Sequence, residues 1–565
     1  MCGATSRRRA SGVVAVLMGA LAVAAAGAHA DVLVTRDATA GSYVRSDGQS
    51  DATTQACSTG RRSQNEPTVA VDPRDTGVVV AGSNDYCAQI VNGDVWVGYY
   101  RSIDGGATWQ DSLVPGYPAD ESAAGLASPA HGSCGAAGDP TQAFDRAGRV
   151  FYGFICFNRA KPVNGSTYVA IYDQDGARYL RSVLIDSGSP SAQFSGSGLF
   201  QDKINLAVDQ TIGPTGGNVY VAWARYSGKA ANNVILFSRS TDHGHTFSRP
   251  VRISPGSAQE QFADVAVGPD GAVYVTYRTY AAQGQTGDAV WVVKSTDGGQ
   301  TFARPSLIAT FTPFTSADFT GGTGGVDCGD GPFACPSGLT FSRFDSLSAV
   351  AADARGVHVV WSGRQPGGQS KIFVRNSPDG VNWPSPAATL DSVPVGHQWL
   401  PDIASADGTL SVIFYDSRQD PSYAPSLPPG DTAGGANSGD VVRALIARSS
   451  DGGVTWSEAV ASADASNFGW ETHGARRVGF WGDYNYVSAV PGAVQVTWTD
   501  SRDLVPGADP RETGAADDHD GFDVFQPCVY VPNDINAASY TSPAISDPCL
   551  SQGGLDQNIY ATAVP

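Results

Sequence analysis

Short runs of alternating apolar and polar residues recur along most of the chain, separated by turns rich in Gly, Pro, Asn and Asp. One group of three such runs reads EPTVAVDP, GVVVAGSNDY and DVWVGYYRS and spans residues 66–102. Alternation of this kind is typical of β-strands with one buried face, and no long segment keeps a helical period. The pattern therefore predicts an all-β protein built from many short strands.

A short phrase of polar residues and glycine ends the third run and recurs further along the chain. It reads RSIDGGATWQ from Arg101, and close copies begin at Arg239, Lys294, Arg375 and Arg448. Asp and Ser side chains can bond backbone N–H groups in a tight turn, and the following Gly tolerates a positive φ. The closing Trp or Phe can pack between neighbouring sheets. We therefore interpret the phrase as a turn that stabilises a hairpin and has no chemical role of its own.

Groups of four short strands with regular turns are typical of propeller blades. The first two runs of each group recur in seven units, which begin near Glu66, Asp139, Asp202, Gln261, Ser346, Trp399 and Asp483. The seventh unit lacks the phrase, and its third strand is predicted to be the C-terminal DQNIYATAV, after a loop insertion at about 504–555. DVLVTRD or GSYVRSD near the N-terminus would add the strand that closes the ring. The prediction is a seven-bladed β-propeller, with six blades plus an appended piece as the alternative.

The first thirty residues have the features of a secretory signal peptide. SRRRAS is a basic segment, GVVAVLMGALAVAAAG is an apolar segment, and Ala28-His29-Ala30 is a small-x-small cleavage site. No later segment is long and apolar enough to span a membrane. We expect a secreted protein, extracellular or periplasmic, with one propeller domain over residues 31–565.

The charge of the chain narrows the choice of partners. The formal net charge is −19. A strongly acidic surface argues against nucleic acid and anionic membranes as partners. A local cluster of Arg could still hold an anionic ligand. We expect a monomer whose partner is an extracellular glycan.

The cysteines point to disulfides. Cys2 leaves with the signal peptide, and an even number in an exported protein predicts paired thiols. Pairing of neighbours would close four local loops along the chain, through Cys57, Cys87, Cys134, Cys156, Cys328, Cys335, Cys528 and Cys549. No CxxC or paired His–Cys spacing indicates zinc.

The repeated phrase resembles the Asp-box, or BNR repeat, of the sialidase superfamily. The opening QNEPTVAVDP and the ending GDYN…TWTDSR are similar to secreted bacterial members described as exo-α-sialidase-like. The resemblance covers nearly the whole mature chain. It implies a β-propeller and a glycoside hydrolase that acts on an extracellular glycan, with acidic sugars among the candidates.

The resemblance also implies a set of site residues. Sialidases of this class hold the sugar carboxylate with three Arg, use a Tyr paired with an acid as nucleophile, and use an Asp as acid/base. The first Arg of the family lies in an Arg-Ile-Pro motif. Here the corresponding stretch is QNEP, so Asn65 or Glu66 stands at that position. The chain therefore lacks the first of the three Arg that hold the sugar carboxylate in these sialidases, which argues against sialidase activity.

Arginines recur where the second strand of each unit ends. We take them as candidate substrate-binding residues: Arg159, Arg225, Arg278, Arg364, Arg418 and Arg502. The first strand of each unit opens near an acid, and both positions would lie on the face opposite the repeated turns. One interpretation is a ring of Arg–Asp pairs that joins the blades. The other is a glycan site in which Arg418 and Arg502 hold an anion.

The stretch FWGDYNY carries the candidate catalytic residues. Asp483 and Tyr484 lie at a strand opening, and Glu66 would face them if the seventh unit closes against the first. A buried carboxylate can gain a raised pKa for acid work, and a Tyr beside a carboxylate can act as a nucleophile. Trp481 and Trp399 could stack on a sugar.

Other functions remain open at this point. A non-catalytic propeller that binds glycans or proteins is one alternative, and a polysaccharide lyase is another. The acidic loop ADDHDGFD, with Asp517 to Asp523, is a weak candidate for calcium. No cofactor and no catalytic metal are expected. An enzyme needs Arg and carboxylates that converge on one pocket, whereas a binding module can have every Arg bonded between blades.

Overall fold

The structure is a computed structural model that describes residues 1, 31–37, 39–59, 62–88, 94–158, 164–189, 198–227, 233–256, 259–280, 287–314, 347–421, 423–425, 441–466, 481–503 and 557–564. Several predictions fall outside these residues. They are the signal peptide, the insertion at about 504–555 with its acidic loop, Arg159, and the cysteines Cys328, Cys335, Cys528 and Cys549.

The described chain is a series of four-stranded antiparallel meanders. Strand β1 (Val32–Leu33) and helix α1 (Ala52–Cys57) come first. Meander 1 contains β2 (Gln64–Val71), β3 (Val79–Asp85), a 3-10 turn (Tyr86–Ala88), β4 (Trp96–Ser102) and β5 (Gln110–Leu113). Helix α2 (Ala123–Ala127) follows, and meander 2 contains β6 (Ala136–Phe144), β7 (Val150–Asn158), β8 (Asn164–Asp173) and β9 (Arg178–Asp186).

The later meanders repeat the same order. Meander 3 contains β10 (Leu199–Val208), β11 (Val219–Ser227), β12 (Val234–Ser240) and β13 (Val251–Arg252). Meander 4 contains β14 (Gln259–Val267), β15 (Val273–Tyr280), β16 (Asp288–Ser295) and β17 (Ser306–Phe311). Meander 5 contains β18 (Ser348–Asp353), β19 (Gly356–Arg364), β20 (Ser370–Ser377) and β21 (Ala388–Thr389). Meander 6 contains β22 (Gln398–Ala406), β23 (Thr409–Asp416), β24 (Arg443–Ser449) and β25 (Ser457–Val460).

The last meander joins the two ends of the chain. It contains β26 (Tyr486–Val490), β27 (Ala493–Asp500) and β28 (Asn558–Val564), and the N-terminal β1 pairs with β28 as its fourth strand. This confirms the prediction that the C-terminal run and the early DVLVTRD segment complete one sheet. Among the described residues, no helix has the length and hydrophobicity needed to cross a membrane.

The first strands of the meanders form the inside of a ring. Strands β2, β6, β10, β14, β18, β22 and β26 contact one another in chain order, and β26 also contacts β2. The protein is therefore all-β with a propeller-like arrangement of sheets. Meanders 2 and 3 are further linked by a parallel pairing of Phe200 in β10 with Gly165 in β8.

Separate apolar clusters fill the space between neighbouring meanders. Phe151 and Ile171 of meander 2, for example, pack in one cluster with Leu206 and Val221 of meander 3. Strand β2 is buried on both faces, because all eight of its residues are buried. Such burial is the main source of stability for stacked sheets, at about 25 cal/mol per Å² of apolar surface.

The N-terminal segment is fastened to meander 1. The hydroxyl groups of Tyr43 and Tyr100 both donate to the buried Asp85 Oδ2 at 2.7 Å. A disulfide connects Cys57 of α1 to Cys87, and a second connects Cys134 to Cys156. Both pairs join cysteines that are neighbours in the chain, so the predicted pairing is confirmed for these four residues.

All five copies of the repeated phrase form one turn with the same hydrogen bonds. In the first copy the Ser102 hydroxyl donates to Asp104 Oδ1 at 2.8 Å and accepts from the Gly106 N–H at 2.9 Å. The Thr108 N–H and hydroxyl donate to the two oxygens of Asp104 at 2.8 and 2.6 Å. Ser, Asp, Gly and Thr or Asn repeat this network in the other four turns.

The aromatic residue that closes each copy packs in the apolar clusters. These residues are Trp109, Phe247, Phe302, Trp383 and Trp456. The turn therefore fixes the hairpin through local hydrogen bonds and anchors it to a sheet through one ring. The stabilising role predicted for the phrase agrees with this geometry.

These turns predict a loss of stability in acid. Hydrogen bonds from Thr108 and Thr301, first from their hydroxyls, lower the pKa of Asp104 and Asp297 to about 2. An unfolded Asp titrates near 3.9, so each turn adds stability above about pH 4 and loses it as the pH falls towards 2. The urea midpoint of the protein should drop between pH 5 and pH 2 as these carboxylates gain protons.

The Asp297→Asn variant tests the source of this dependence. Its amide does not titrate, so the urea midpoint should fall less steeply between pH 5 and pH 2 than that of the wild type. A variant that keeps the wild-type slope would show that other carboxylates carry the acid sensitivity.

Candidate functional site

The inner strands share an unusual bulge near their start. In five of the described first strands the pairing register skips two residues, and the first of the two has a left-handed backbone. The five left-handed residues, with φ between 46° and 56°, are Glu66, Asp139, Lys203, Phe262 and Leu400. A non-glycine residue in this region costs about 1–3 kcal/mol, and such strain often occurs at functional sites. The bulges therefore make the start of the inner strands a candidate location for a functional site.

The bulges of meanders 1, 2 and 3 are adjacent in the ring, and they place charged side chains together. We call Glu66, Asp139 and Lys203, with Asp483 and Tyr484 just before β26, the central cluster. In an antiparallel meander the first strand starts on the face opposite the turn between the third and fourth strands. The central cluster therefore lies on the face opposite the repeated turns, where the sequence predicted the site.

Glu66 contacts the seventh meander directly. Its Oε1 accepts from the Asp483 N–H at 3.1 Å, and its Oε2 accepts from Asn84 Nδ2 at 2.9 Å. Gly482 allows this approach, because a Cβ on it would lie 2.3 Å from Glu66 Cγ. The expected meeting of Glu66 and Asp483 across the ring closure is confirmed.

Glu66 and Asp139 form a carboxyl pair. A side-chain hydrogen bond with Glu66 lowers the pKa of Asp139. Asn84 orients both, because its Nδ2 donates to Glu66 and its Oδ1 accepts from the Asp139 N–H at 2.8 Å. Burial raises the pKa of Asp139, while Lys203 opposes the shift. Asp139 is partly exposed, whereas the Glu66 side chain is buried.

Lys203 is the cation among these carboxyls. Its backbone N–H donates to Asp139 Oδ2 at 2.9 Å, and its Nζ lies 3.3 Å from the centre of the Tyr484 ring. The side chain is buried, and burial lowers its pKa against the attraction of Asp139, Glu66 and Asp483. Lys203 therefore compensates part of the negative charge of the cluster.

Tyr484 is held as a neutral phenol. Its side chain is fully buried, and its hydroxyl donates to the Pro140 carbonyl at 3.3 Å. Burial, then the charges of Glu66, Asp139 and Asp483, raise its pKa well above the ordinary value. These charges oppose the phenolate that a Tyr nucleophile requires. The geometry gives Tyr484 a contact with the Lys203 ammonium instead.

A second layer of acids lies one step further along the inner strands. Asp264 accepts from the Val350 N–H and Asp402 from the Val487 N–H, both at 2.7 Å. Burial raises the pKa of Asp264 to about 6, and burial with the charge of Asp264 raises that of Asp402. These acids link neighbouring inner strands and add to the negative field of the centre.

Three of the predicted arginines, Arg278, Arg418 and Arg502, are bonded to carboxylates outside the central cluster. Arg418 pairs with Asp391, Asp416 and Glu458, and Arg502 pairs with Asp31 and Asp500.

The arginines near the ends of the second strands of meanders 3, 4 and 5 also interact with protein groups. Arg225 lies near Asp186 of the preceding meander and lowers the pKa of that acid against the effect of its burial. Arg278 is buried and ion-paired with Asp288 of its own sheet. Arg364 ends β19, and its backbone N–H donates to the Thr312 carbonyl at 2.8 Å. The interaction of Arg225 with Asp186 and the ion pair of Arg418 with Asp391 join neighbouring meanders, as the interpretation of Arg–Asp pairs between blades expects.

The predicted sugar-stacking tryptophans are core residues. Trp399 and Trp481 are buried in the cluster between meanders 6 and 7, on either side of Tyr415. Trp481 Nε1 donates to Ser501 Oγ at 2.7 Å. Both indole rings therefore face protein.

The sequence left two members of the central cluster unassigned. Lys203 was not singled out, and Asp139 was noted only as one of several acids at strand openings. A signal was available, because NEPT at Asn65 and GDPT at Gly138 repeat one pattern at the bulge, and Lys203 follows in DKIN. Among the described residues, no group of three or more His, Cys, Asp or Glu is arranged to hold a metal ion.

The comparison with known proteins concerns solved structures. No protein-family model matches the chain, and no curated protein is significantly similar to it. Similar structures include the Hadza microbial sialidase Hz136, at 13% identity and a TM-score of 0.40, with 74% of this chain and 70% of that chain covered. Another is the GH93 α-L-arabinofuranosidase of Fusarium graminearum, at 14% identity and a TM-score of 0.39, with 63% and 89% covered.

A third is the intramolecular trans-sialidase from Ruminococcus gnavus, at 13% identity and a TM-score of 0.37, with 64% of this chain and 91% of that chain covered. The named relatives are sialidases and an arabinofuranosidase. At such low TM-scores the likeness carries no weight for function, which depends on the residues of the central cluster.

Proposed function

We propose that this chain is a secreted, sialidase-like glycoside hydrolase that acts on an extracellular glycan at the central cluster. The observation that carries the proposal is the carboxyl pair of Glu66 and Asp139, which lies beside a third acid, Asp483. Glycoside hydrolysis needs one protonated and one ionised carboxyl group at the same bond. Burial raises the pKa of Asp139, as the acid role requires, and Asp483 offers the second carboxyl group.

The roles follow from exposure and charge. Asp139, the partly exposed member, donates its proton to the glycosidic oxygen as the bond from that oxygen to the anomeric carbon breaks. Water adds to the anomeric carbon and gives up a proton to the carboxylates of the cluster, which restores the starting state. The side chain of Asp483 stabilises the positive charge that develops on the sugar ring. Lys203 and Tyr484 position the acids.

The fold is part of the proposal. We propose that the seven meanders are seven blades of a sialidase-superfamily propeller and that the five repeated turns are Asp-boxes. The closed ring of inner-strand contacts and the identical turn networks support this. Residues 31–565 would form one domain with an insertion at about 504–555. Residues 1–30 would be removed as a signal peptide, and the two disulfides fit an exported protein.

The exported protein should release dye from at least one member of a panel of 4-methylumbelliferyl glycosides. A Glu66→Gln variant should lose activity by about 100-fold or more, because it removes one carboxyl group of the pair. Glu458→Gln is the matched control, since it makes the same change at the outer edge of meander 6, where Glu458 pairs with Arg418.

The proposal fails if no glycoside is cleaved or if Glu66→Gln matches the wild type. A non-catalytic glycan-binding propeller is the second candidate. It is favoured by the burial of Glu66, Asp483 and Tyr484, which are 3%, 7% and 0% exposed, and by the arginines that are bonded to protein carboxylates. Saturable binding of an oligosaccharide without cleavage would establish that candidate.

A further inference from the structure

We infer that the central cluster acts on an uncharged sugar and rejects sugars that carry a carboxylate. This inference rests on the proposed function and narrows it to a substrate class. It departs from the acidic sugar that the sequence resemblance implies. Three features of the described residues support it: the charge of the cluster, the contacts of the arginines and the apolar side of the ring.

The first feature is the sign of the charge at the centre. Glu66, Asp139 and Asp483 bring three carboxyl groups together. Lys203 is the one cation among the residues of the central cluster, so the acids outnumber it three to one. Asp264 and Asp402 lie in the next layer and also interact with Lys203. A carboxylate on the sugar would be repelled by the acids of both layers, and among these residues only Lys203 would attract it.

The second feature is the contacts of the arginine forks. A sugar carboxylate is best held by guanidinium groups that donate two parallel hydrogen bonds. Arg418 donates from Nη1 to Glu458 and from Nη2 to Asp391 and Asp416, at 2.6 to 2.8 Å.

Two other arginines are engaged in the same way. Arg502 donates to Asp31 and Asp500 at 2.8 and 2.6 Å, and Arg278 donates from both Nε and Nη2 to Asp288. These groups face protein acids. To bind a sugar carboxylate through these forks, they would have to give up their present carboxylate partners.

Lys203 does not replace these arginines. Its ammonium is buried against the Tyr484 ring and attracted by three carboxyl groups of the cluster. An ammonium is also a point charge without the planar fork that matches a carboxylate. Its positive charge therefore interacts with the carboxyl groups of the cluster.

The third feature is the apolar side of the ring. The bulge position that carries Glu66, Asp139 and Lys203 in meanders 1 to 3 carries Phe262 in meander 4 and Leu400 in meander 6. Both side chains are buried at 1% exposure. The bulge positions of meanders 4 and 6 therefore supply no cation that could hold a sugar carboxylate.

The experiment compares glycosides that differ only in charge. The exported protein is given 4-methylumbelliferyl β-D-glucoside and the matching glucuronide, then the galactoside and the galacturonide, with a sialoside and an α-L-arabinofuranoside beside them. Because like charges placed together cost several kcal/mol, kcat/KM should be at least about 100-fold higher for the neutral member of any pair that is cleaved, or for the arabinofuranoside over the sialoside.

A charge variant tests whether the cluster causes the preference. Asp483→Asn removes one negative charge, so the ratio of neutral to anionic kcat/KM should fall by about tenfold, whatever happens to the absolute rate. Glu458→Gln removes a charge at the sheet edge and should leave the ratio unchanged. Thermal melting shows whether either variant is folded.

Each outcome is decisive. Preferred cleavage of a neutral glycoside, with the shift in Asp483→Asn, supports the inference. Equal or faster cleavage of the glucuronide, the galacturonide or the sialoside overturns the inference and keeps the proposed function. Absence of cleavage across all six glycosides overturns both.

Discussion

An Asp139→Asn variant should hydrolyse a methylumbelliferyl glycoside about 10²–10⁴-fold more slowly than the wild type. Asp139 is the partly exposed member of the carboxyl pair, and burial raises its pKa, which favours the protonated form that donates. Asparagine has nearly the same shape and can still accept the Lys203 N–H bond. The loss should therefore fall on kcat, with little change in KM.

The leaving group separates acid catalysis from a structural effect. Dinitrophenolate is a good leaving group that departs without a proton. Hydrolysis of a dinitrophenyl glycoside should therefore be far less sensitive to Asp139→Asn. The wild-type rate should also fall as the pH rises through the pKa of Asp139, because only the protonated acid donates, and the variant should lose this limb of the profile. Asp391→Asn, at the outer edge of meander 5, is the control and should keep wild-type kinetics.

An equal loss with both leaving groups would contradict the acid role of Asp139. It would indicate that Asp139 acts through structure, for example by holding the Lys203 bulge. Measurement of the urea midpoint of Asp139→Asn would then show a large drop.

The Arg278→Ala variant should destabilise the protein by about 3–5 kcal/mol. Arg278 and Asp288 are both 1% exposed, and Arg278 bonds Asp288 from two nitrogens. The guanidinium also lies 4.5 Å from the centre of the Tyr280 ring. Removal of the arginine leaves the Asp288 carboxylate buried without its counter-ion, which is costlier than removal of both charges. Equilibrium unfolding in urea measures the difference.

A double variant provides the control. Arg278→Met with Asp288→Leu removes both charges and keeps apolar volume, so its stability should return to within about 1–2 kcal/mol of the wild type. Its kcat/KM on any cleaved glycoside should equal that of the wild type. A stable Arg278→Ala protein with a raised KM would instead identify Arg278 as a substrate ligand.

Some of the site was predictable from local patterns. The meeting of Glu66 with Asp483 followed from the count of units, because a closed ring brings the first unit beside the last. Its confirmation is the 3.1 Å bond between them. Lys203 was not predictable in the same way, because a lysine that ends up buried among acids looks like any surface lysine in the sequence. Its burial depends on a bulge whose register is set by the neighbouring strand.

The sequence alone determined the strands, the repeated turns and the closing sheet. Alternation with a period of two selects strands, and the Ser, Asp, Gly and Thr of each turn bond one another within about seven residues, so distant parts of the chain are not needed. The two described disulfides also join cysteines that are close in sequence.

Only the tertiary structure decided which charges meet. Arg418 and Arg502 sit in the same DSR sequence, and their role depends on Asp391 and Asp31, which come from other sheets or from the far end of the chain. Trp399 and Trp481 likewise became core residues when two sheets packed together. Pairing and burial are long-range properties, because they depend on which strands become neighbours. The sequence of one strand does not show which charges lie on the strand beside it.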